Sequence, residues 1–287
     1  MDMQLKTQRK NDFYLFVISA LCLLFSVTTW AALPGTIAMI QDNADSHFND
    51  YEHNMKALTK FAALAIANHA KIIVFPEGST YGYADSSHFW CKTGQADSKC
   101  LDVETVAEKI PGGRTEAYWS RVAQTQQVYV LFNLPEIGDD GHYYNTTGIS
   151  GPHGYVSKYR KRSLYRTDEY YATPAEKPVV LETEYGNFGI AICLDGTYAG
   201  ILEAYKAMGT DAVILPMDWD DDPHGPYAAK TWFTKRAGEA KTDIFVSDQS
   251  SWDGSGMYLK NGSGRVRDGL AEDSIAVDGI TYAHMSY

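Results

Sequence analysis

The chain has 287 residues, 45% of them hydrophobic, which is enough for one large domain or two small ones with a sizeable core. Its formal charge of -11 at pH 7 is spread along the chain rather than gathered in a tail. Like charges repel within a Debye length, so nucleic acid is excluded as the expected partner.

The N-terminal stretch differs in kind from the rest. Lys6, Arg9 and Lys10 precede an apolar run from Phe13 to Thr28, and small residues follow in "TTWAALPG". This is the order of a secretory signal, with Thr29 and Ala31 small at a cleavage position, so residues 1–31 are expected to be removed on export to a secreted, periplasmic or lumenal location. Extending the run to Leu33 gives about the 20 residues that a membrane helix needs, and the alternative is an uncleaved anchor that holds the protein on a membrane. Cys22 lies in this segment behind Leu21, which is too large for a usual lipoprotein site. No repeat, linker or low-complexity tract interrupts residues 33–287, which read as one domain.

That domain opens with "GTIAMIQ" as a strand, followed by a helix from about Ala44 to Ala70, where Met55, Leu58, Ala62 and Ala65 recur at helical spacing. "KIIVFPE" is a short strand ended by Pro76, which cannot donate to a ladder, so Glu77 stands just past a strand end. After a long loop, Thr115 to Gln126 reads as a helix and "VYVLFNL" as a strand. The turn clusters "GDDG" and "SGPHG" then separate the strands "HYYNTTGI" and "YVSKY". The strands "PVVLETEY", "FGIAICLD", "DAVILPMDW" and "DIFVSDQ" follow. Helices from about Tyr198 to Met208 and Tyr227 to Lys241 lie between them, and a Gly-rich hairpin at "GSGMYLKNGSGRV" closes the chain. Alternating strands and helices beside hairpins predict a layered α/β fold with a mixed sheet.

Outside the N-terminal segment the cysteines are Cys91, Cys100 and Cys193. Cys91 and Cys100 flank the polar loop "CKTGQADSKC"; an exported chain would pair them and leave Cys193 free, and the alternative is two unpaired loop thiols. The spacing does not suit zinc, and no phosphate loop or dinucleotide fingerprint is present, so no metal or cofactor is expected.

Three chemically able residues stand at strand ends, where α/β sheets build their sites: Glu77 in "FPEGSTYGY", Lys161 in "KYRKRSLY" and Cys193 in "AICLDG". A thiol is mostly protonated at neutral pH and needs a base such as Glu77. Attack on an amide carbon makes an oxyanion, which needs fixed donors. Lys161 and the backbone N–H of Leu194 fit that need. Asp195 is expected to cap the helix that follows and to shape the turn.

In order, type and strand context, "VFPE", "YRK" and "ICLD" make this chain resemble the nitrilase (carbon-nitrogen hydrolase) superfamily over nearly all its length after the signal. The resemblance implies an α-β-β-α sandwich and a small-molecule amide substrate cleaved through a thioester. It implies a catalytic triad of Glu77, Lys161 and Cys193, a supporting carboxylate at Glu169 in "LYRTDEYY", and a homodimer. "FPEGSTYGY", the Trp-to-Pro-His loop of "DWDDDPHGPYAAKTWF" and "GSGMY" look like the pantetheinase (vanin) and biotinidase branch, which implies pantetheine-like or biotinyl amides. Trp219 and His224 would then line the substrate pocket. The expected activity is hydrolysis of linear amides, with a nitrilase or another small-amide hydrolase as the alternative enzyme and an idle binding relative as the alternative class.

Overall fold

Side chains alternate along β1 (Gly35–Gln41), and this alternation decides the layering. Ile37 and Met39 face a second sheet, whereas Ala38 and Ile40 face helices. The computed structural model describes residues 34–85, 87–92, 94–95, 97, 99–219, 225, 227–270, 278–285 and 287. The segment read as a signal or anchor and His224 lie outside the described residues.

The first sheet holds β1, β2 (Ile72–Val74), β5 (Tyr129–Ile137), β6 (Tyr143–Gly151), β7 (Gly154–Arg160) and β14 (Gly279–Met285), in the order β14-β1-β2-β5-β6-β7, while β3 (Phe89–Cys91) and β4 (Cys100–Asp102) pair with each other in the loop between β2 and β5. The second runs β13-β12-β11-β10-β9-β8: β8 (Val179–Thr183), β9 (Gly186–Ile190), β10 (Ala212–Pro216), β11 (Asp243–Ser247), β12 (Gly256–Tyr258) and β13 (Arg265–Val266). Helices α1 (Tyr51–Ala67) and α2 (Arg114–Gln126) cover the outer face of the first sheet through Leu58, Phe61, Ala65 and Trp119. Helices α3 (Ala199–Ala207) and α4 (Ala229–Ala240) cover the second through Leu202, Tyr205, Phe233 and Ala237. The architecture is the expected α-β-β-α sandwich, with Ile37, Val74, Leu131, Ile190 and Leu215 in the core between the sheets.

Two local expectations need correction. The helix expected from about Ala44 is a single 3₁₀ turn, Ala44–His47, and then α1, because Asn49 takes a left-handed φ of 62° and the Asp50 carboxylate caps α1 by accepting the His53 N–H. The chain also does not close on the Gly-rich hairpin. Strand β14 returns to pair antiparallel with β1 along its whole length, from Gly35 opposite Met285 to Gln41 opposite Gly279.

The parallel runs β1–β2–β5 and β9–β10–β11 put several strand C-termini at one end of the sandwich. The sheets are stitched there by Ser247, whose hydroxyl lies 2.6 Å from Ile40 O and 2.9 Å from Val74 O. Tyr205 of α3 braces the strand that leads into this end: its hydroxyl donates to Ile190 O and accepts the Val179 N–H at 3.2 Å. Gly189 is what lets that ring close in, since a Cβ there would lie 2.4 Å from Tyr205 Cγ. Gly189→Ala is expected to destabilise the fold by about 1–3 kcal/mol through overpacking, measured as a lower midpoint in chemical denaturation.

Candidate active site

Three strand exits deliver the chemistry. After β2, Phe75 still bonds Leu131 O at 3.1 Å, Pro76 cannot continue the ladder, and Glu77 turns inward, buried. On β7, Tyr159 points into the inter-sheet core, so Lys161 two residues on enters the same space. After β9, Ala191 bonds Ile214 O at 3.1 Å, Ile192 stays extended, and Cys193 turns abruptly to φ 45°. A non-glycine residue in that region stores strain, which the flanking bonds must hold. The bend places the thiol within hydrogen-bonding reach of Glu77 and 3.6 Å from Asp218 O.

Glu77, Lys161 and Cys193 are thus brought together, at 0%, 1% and 4% exposure. Lys161 Nζ donates to Glu77 Oε1 at 2.7 Å and to Asp168 Oδ2 at 2.6 Å. An ammonium has three N–H bonds, so one remains for a developing oxyanion. Burial would strip the proton from Lys161, but the carboxylates of Asp168 and Glu77 outweigh it and hold the amine well above its ordinary range. Burial raises the Glu77 carboxyl, opposed by Lys161. Burial, and then Glu77, push the Cys193 thiol well up. Cys193 therefore rests as a thiol rather than a thiolate, because burial and an adjacent carboxylate both disfavour a second negative charge.

The turn itself, Cys193–Thr197, is 3₁₀, and its first internal bond is Asp195 N–H to Ile192 O at 3.0 Å. The N–H of Leu194 precedes that bond and remains available as a donor, as the first amides of a helical turn do. Asp195 does not cap α3, which starts at Ala199 without a side-chain cap. Its buried carboxylate instead accepts from Ile192 N at 3.2 Å, Tyr159 Oη at 2.7 Å and Ser163 N at 2.7 Å. It therefore ties the cysteine bend to the segment that carries Lys161.

The second carboxylate that bonds Lys161 is Asp168, not the expected Glu169. Glu169 is exposed, while Asp168 is fully buried on Lys161, because the 3₁₀ turn Arg166–Tyr170 turns Asp168 inward and leaves Glu169 and Tyr170 on its outer side. Asp168 also accepts the Tyr165 N–H at 3.0 Å. The turn is backed by the loop closed by the Cys91–Cys100 disulfide, with Lys92 N bonding Tyr170 O at 3.2 Å and Phe89 packing on Tyr170 at 4.8 Å. Cys193 is the free thiol among the described cysteines.

Sequence reading missed Asn145 and Asn133, which join the site from the inner faces of β6 and β5. Asn145 donates to Glu77 Oε1 at 2.7 Å and Asp168 Oδ1 at 2.9 Å, and accepts from Asn133 at 2.9 Å. The available signal is parity: Asn133 continues the inward series after Leu131, and Asn145 shares a face with inward Ile149. Its amide, buried and doubly bonded, is closed to a glycan even though Asn145 opens an N-x-T triplet.

A cavity of about 590 Å3 adjoins the site, and Asp218 and Tyr83, which line it, touch Cys193 and flank Lys161 respectively. Its walls include Tyr165 and Trp252, and Asp45 and Asp218 face each other across a shared hydrogen bond. Burial raises Asp45 to about 6 and Asp218 well above the usual carboxylate range. Trp219 was expected to line the pocket but turns away. Its indole N–H donates to Tyr227 O at 3.0 Å and its ring packs edge-on to Phe233 at 5.1 Å. The tryptophan of the cavity wall is Trp252, whose Nε1 donates to Asp218 Oδ1 at 2.7 Å. Among the described residues no group of three or more His, Cys, Asp or Glu side chains could hold a metal ion.

The carbon-nitrogen hydrolase family model matches residues 36–263. This chain belongs to that family. Among its carbon-nitrogen hydrolase relatives, a nitrilase of Pyrococcus abyssi is 25% identical over 166 residues, 58% of each chain. The omega-amidase NIT2 of Homo sapiens is 28% identical over 193 residues, 63% of this chain and 62% of that protein. The matched segments therefore span less than two thirds of these curated relatives. The crystal structure of Saccharomyces cerevisiae Nit3, a member of branch 10 of the nitrilase superfamily, superposes with a TM-score of 0.73 over 90% of this chain and 92% of that one, at 20% identity. The carbon-nitrogen hydrolase fold is shared along nearly the whole described domain.

Proposed function

We propose that the protein is a cofactor-independent thiol amidohydrolase that cleaves a small linear carboxamide through a Cys193 thioester. The observation that carries this reading is the buried constellation itself: a thiol on a strained bend beside the Glu77–Lys161 ion pair at 2.7 Å. As Sγ attacks the carbonyl carbon, its proton passes to Glu77. The oxyanion is held by the third Lys161 N–H and the N–H of Leu194. Collapse breaks the C–N bond, Glu77 protonates the departing amine, and then takes a proton from the water that hydrolyses the thioester. Collapse of the second tetrahedral intermediate releases the carboxylic acid and expels Cys193 Sγ, which takes the proton back from Glu77, so thiol and ionised carboxylate are restored.

The cavity narrows the substrate. Its aromatic walls and the Asp45–Asp218 pair suit an amide that is neutral or cationic next to the reacting carbonyl. A pantetheine-like or biotinyl amide is the finer reading, supported by "FPEGSTYGY" and "GSGMY" and by a cavity of this size. A panel of neutral, cationic and carboxylate-bearing amides of equal length, with simple nitriles, tests both levels. The expected result is an acyl adduct on Cys193 by intact mass, with kcat/KM about tenfold or more higher for the neutral and cationic amides than for the anionic ones. No adduct from any member would overturn the enzyme reading in favour of an idle binding relative. A preference for anionic amides would overturn the substrate reading.

A further inference from the structure

We infer that Asn145 is a positioning residue that decides which oxygen of Glu77 takes the thiol proton and how readily it does so. This rests on the thiol amidohydrolase reading above. The orientation of its amide follows from the backbone outward. The N–H of Gly78 can only donate, and it meets Asn133 Oδ1 at 2.7 Å. Asn133 must then present its NH2 group to Asn145 Oδ1, at 2.9 Å. Both N–H bonds of Asn145 are thereby turned to the carboxylates that flank Lys161, 2.7 Å from Glu77 Oε1 and 2.9 Å from Asp168 Oδ1. Because Gly78 follows Glu77 in the chain, these bonds close a ring from Glu77 through Asn133 and Asn145 back to Glu77. Every side chain in the ring is at most 2% exposed, which shields the bonds from competition by solvent.

The ring distinguishes the two carboxylate oxygens. Oε1 accepts from both Lys161 and Asn145, whereas Oε2, among the described residues, accepts the Asp218 N–H at 3.1 Å and keeps a side open to the Cys193 thiol. A carboxylate oxygen offers two lone pairs, so Oε1 is full and Oε2 keeps one free. The proton of Cys193 Sγ therefore moves to Oε2, with no other reactant in the step. A donor to the anionic carboxylate also favours that form. Burial raises Glu77, and the bonds from Lys161 and Asn145 work against the rise. Asn145 holds the base in its working, ionised form at a lower pH than burial would otherwise allow.

The experiment measures kcat/KM against pH for wild type, Asn145→Ala, Asn145→Asp and Asn133→Ala, on an amide that wild type turns over, alongside each thermal midpoint. Activity requires ionised Glu77, so it rises with pH through the acid limb, and loss of a donor moves that limb upward. The limb is expected to rise by about one pH unit in Asn145→Ala, further in Asn145→Asp, which adds a like charge, and less in Asn133→Ala. A residue that only supports the fold would lower the midpoint and scale activity down at every pH with the limb unmoved. An unmoved limb in folded Asn145 variants would overturn the inference. If neither Asn145 variant shows a melting transition, Asn133→Ala decides, since it leaves the contact to Glu77 in place but frees the amide that orients it. Wild type that forms no adduct takes down the amidohydrolase reading; wild type that does, with unmoved limbs, takes down the role of Asn145 alone.

Discussion

Cys193→Ala is expected to lower turnover of any amide that wild type accepts by at least about 10^4-fold and to abolish the acyl adduct in intact-mass spectra. Nothing else in the site can replace the thiol. Lys161 is protonated and held by Glu77 and Asp168, and Glu77 is ion-paired through Oε1, with Oε2 left as a base rather than a nucleophile. The substitution keeps the backbone bend, because alanine meets the same strain at φ 45° that cysteine does. The variant should therefore fold and bind substrate without consuming it. Residual turnover near the wild-type level would remove Cys193 from the reaction.

The second large effect separates two neighbours in sequence. Asp168→Asn is expected to cost about 10^2–10^3-fold in kcat/KM and about 3–5 kcal/mol of stability, the cost typical of breaking a buried ion pair on one side. Lys161 would be left with one carboxylate, and the Asn145 N–H that met Asp168 Oδ1 would face another amide. Glu169→Gln, by contrast, should leave both kinetics and denaturation midpoint within about twofold and 0.5 kcal/mol, since Glu169 is exposed. Measuring the pair side by side makes the result diagnostic. Equal losses, or a larger loss at Glu169, would contradict the observed geometry.

Those adjacent acids also show where sequence reading stops. The order of "VFPE", "YRK" and "ICLD" was enough to expect the family, the sandwich and the meeting of Glu77, Lys161 and Cys193, because the three motifs together carry the resemblance and each residue stands at a strand end that is visible locally. Which of Asp168 and Glu169 turns inward depends on a 3₁₀ turn entered at Arg166 with φ 32°, and no periodicity announces that. Asn145 and Asn133 look like ordinary polar strand residues until the register of β5 and β6 puts both in the space between the sheets. Trp219 and Trp252 are comparable in sequence, each beside Asp and near Gly or Pro. They separate only when Phe233 of α4 claims one ring and the cavity takes the other. Strand β14 escaped notice for a related reason: its partner β1 lies at the far end of the domain, so the evidence for pairing is tertiary.

The pairing of β1 with β14 has a practical consequence. Gly35 lies opposite Met285, so the outer ends of these two strands meet at one point. From there β1 runs seven residues, about 23 Å, before the chain reaches Asp42 and the cavity residue Asp45. Both strand ends therefore lie at the pole remote from the thiol. A short peptide joining them would make a circular permutant with the Cys193 end undisturbed, and a reporter or surface tether attached at the Met285 end would leave the mouth of the cavity unobstructed.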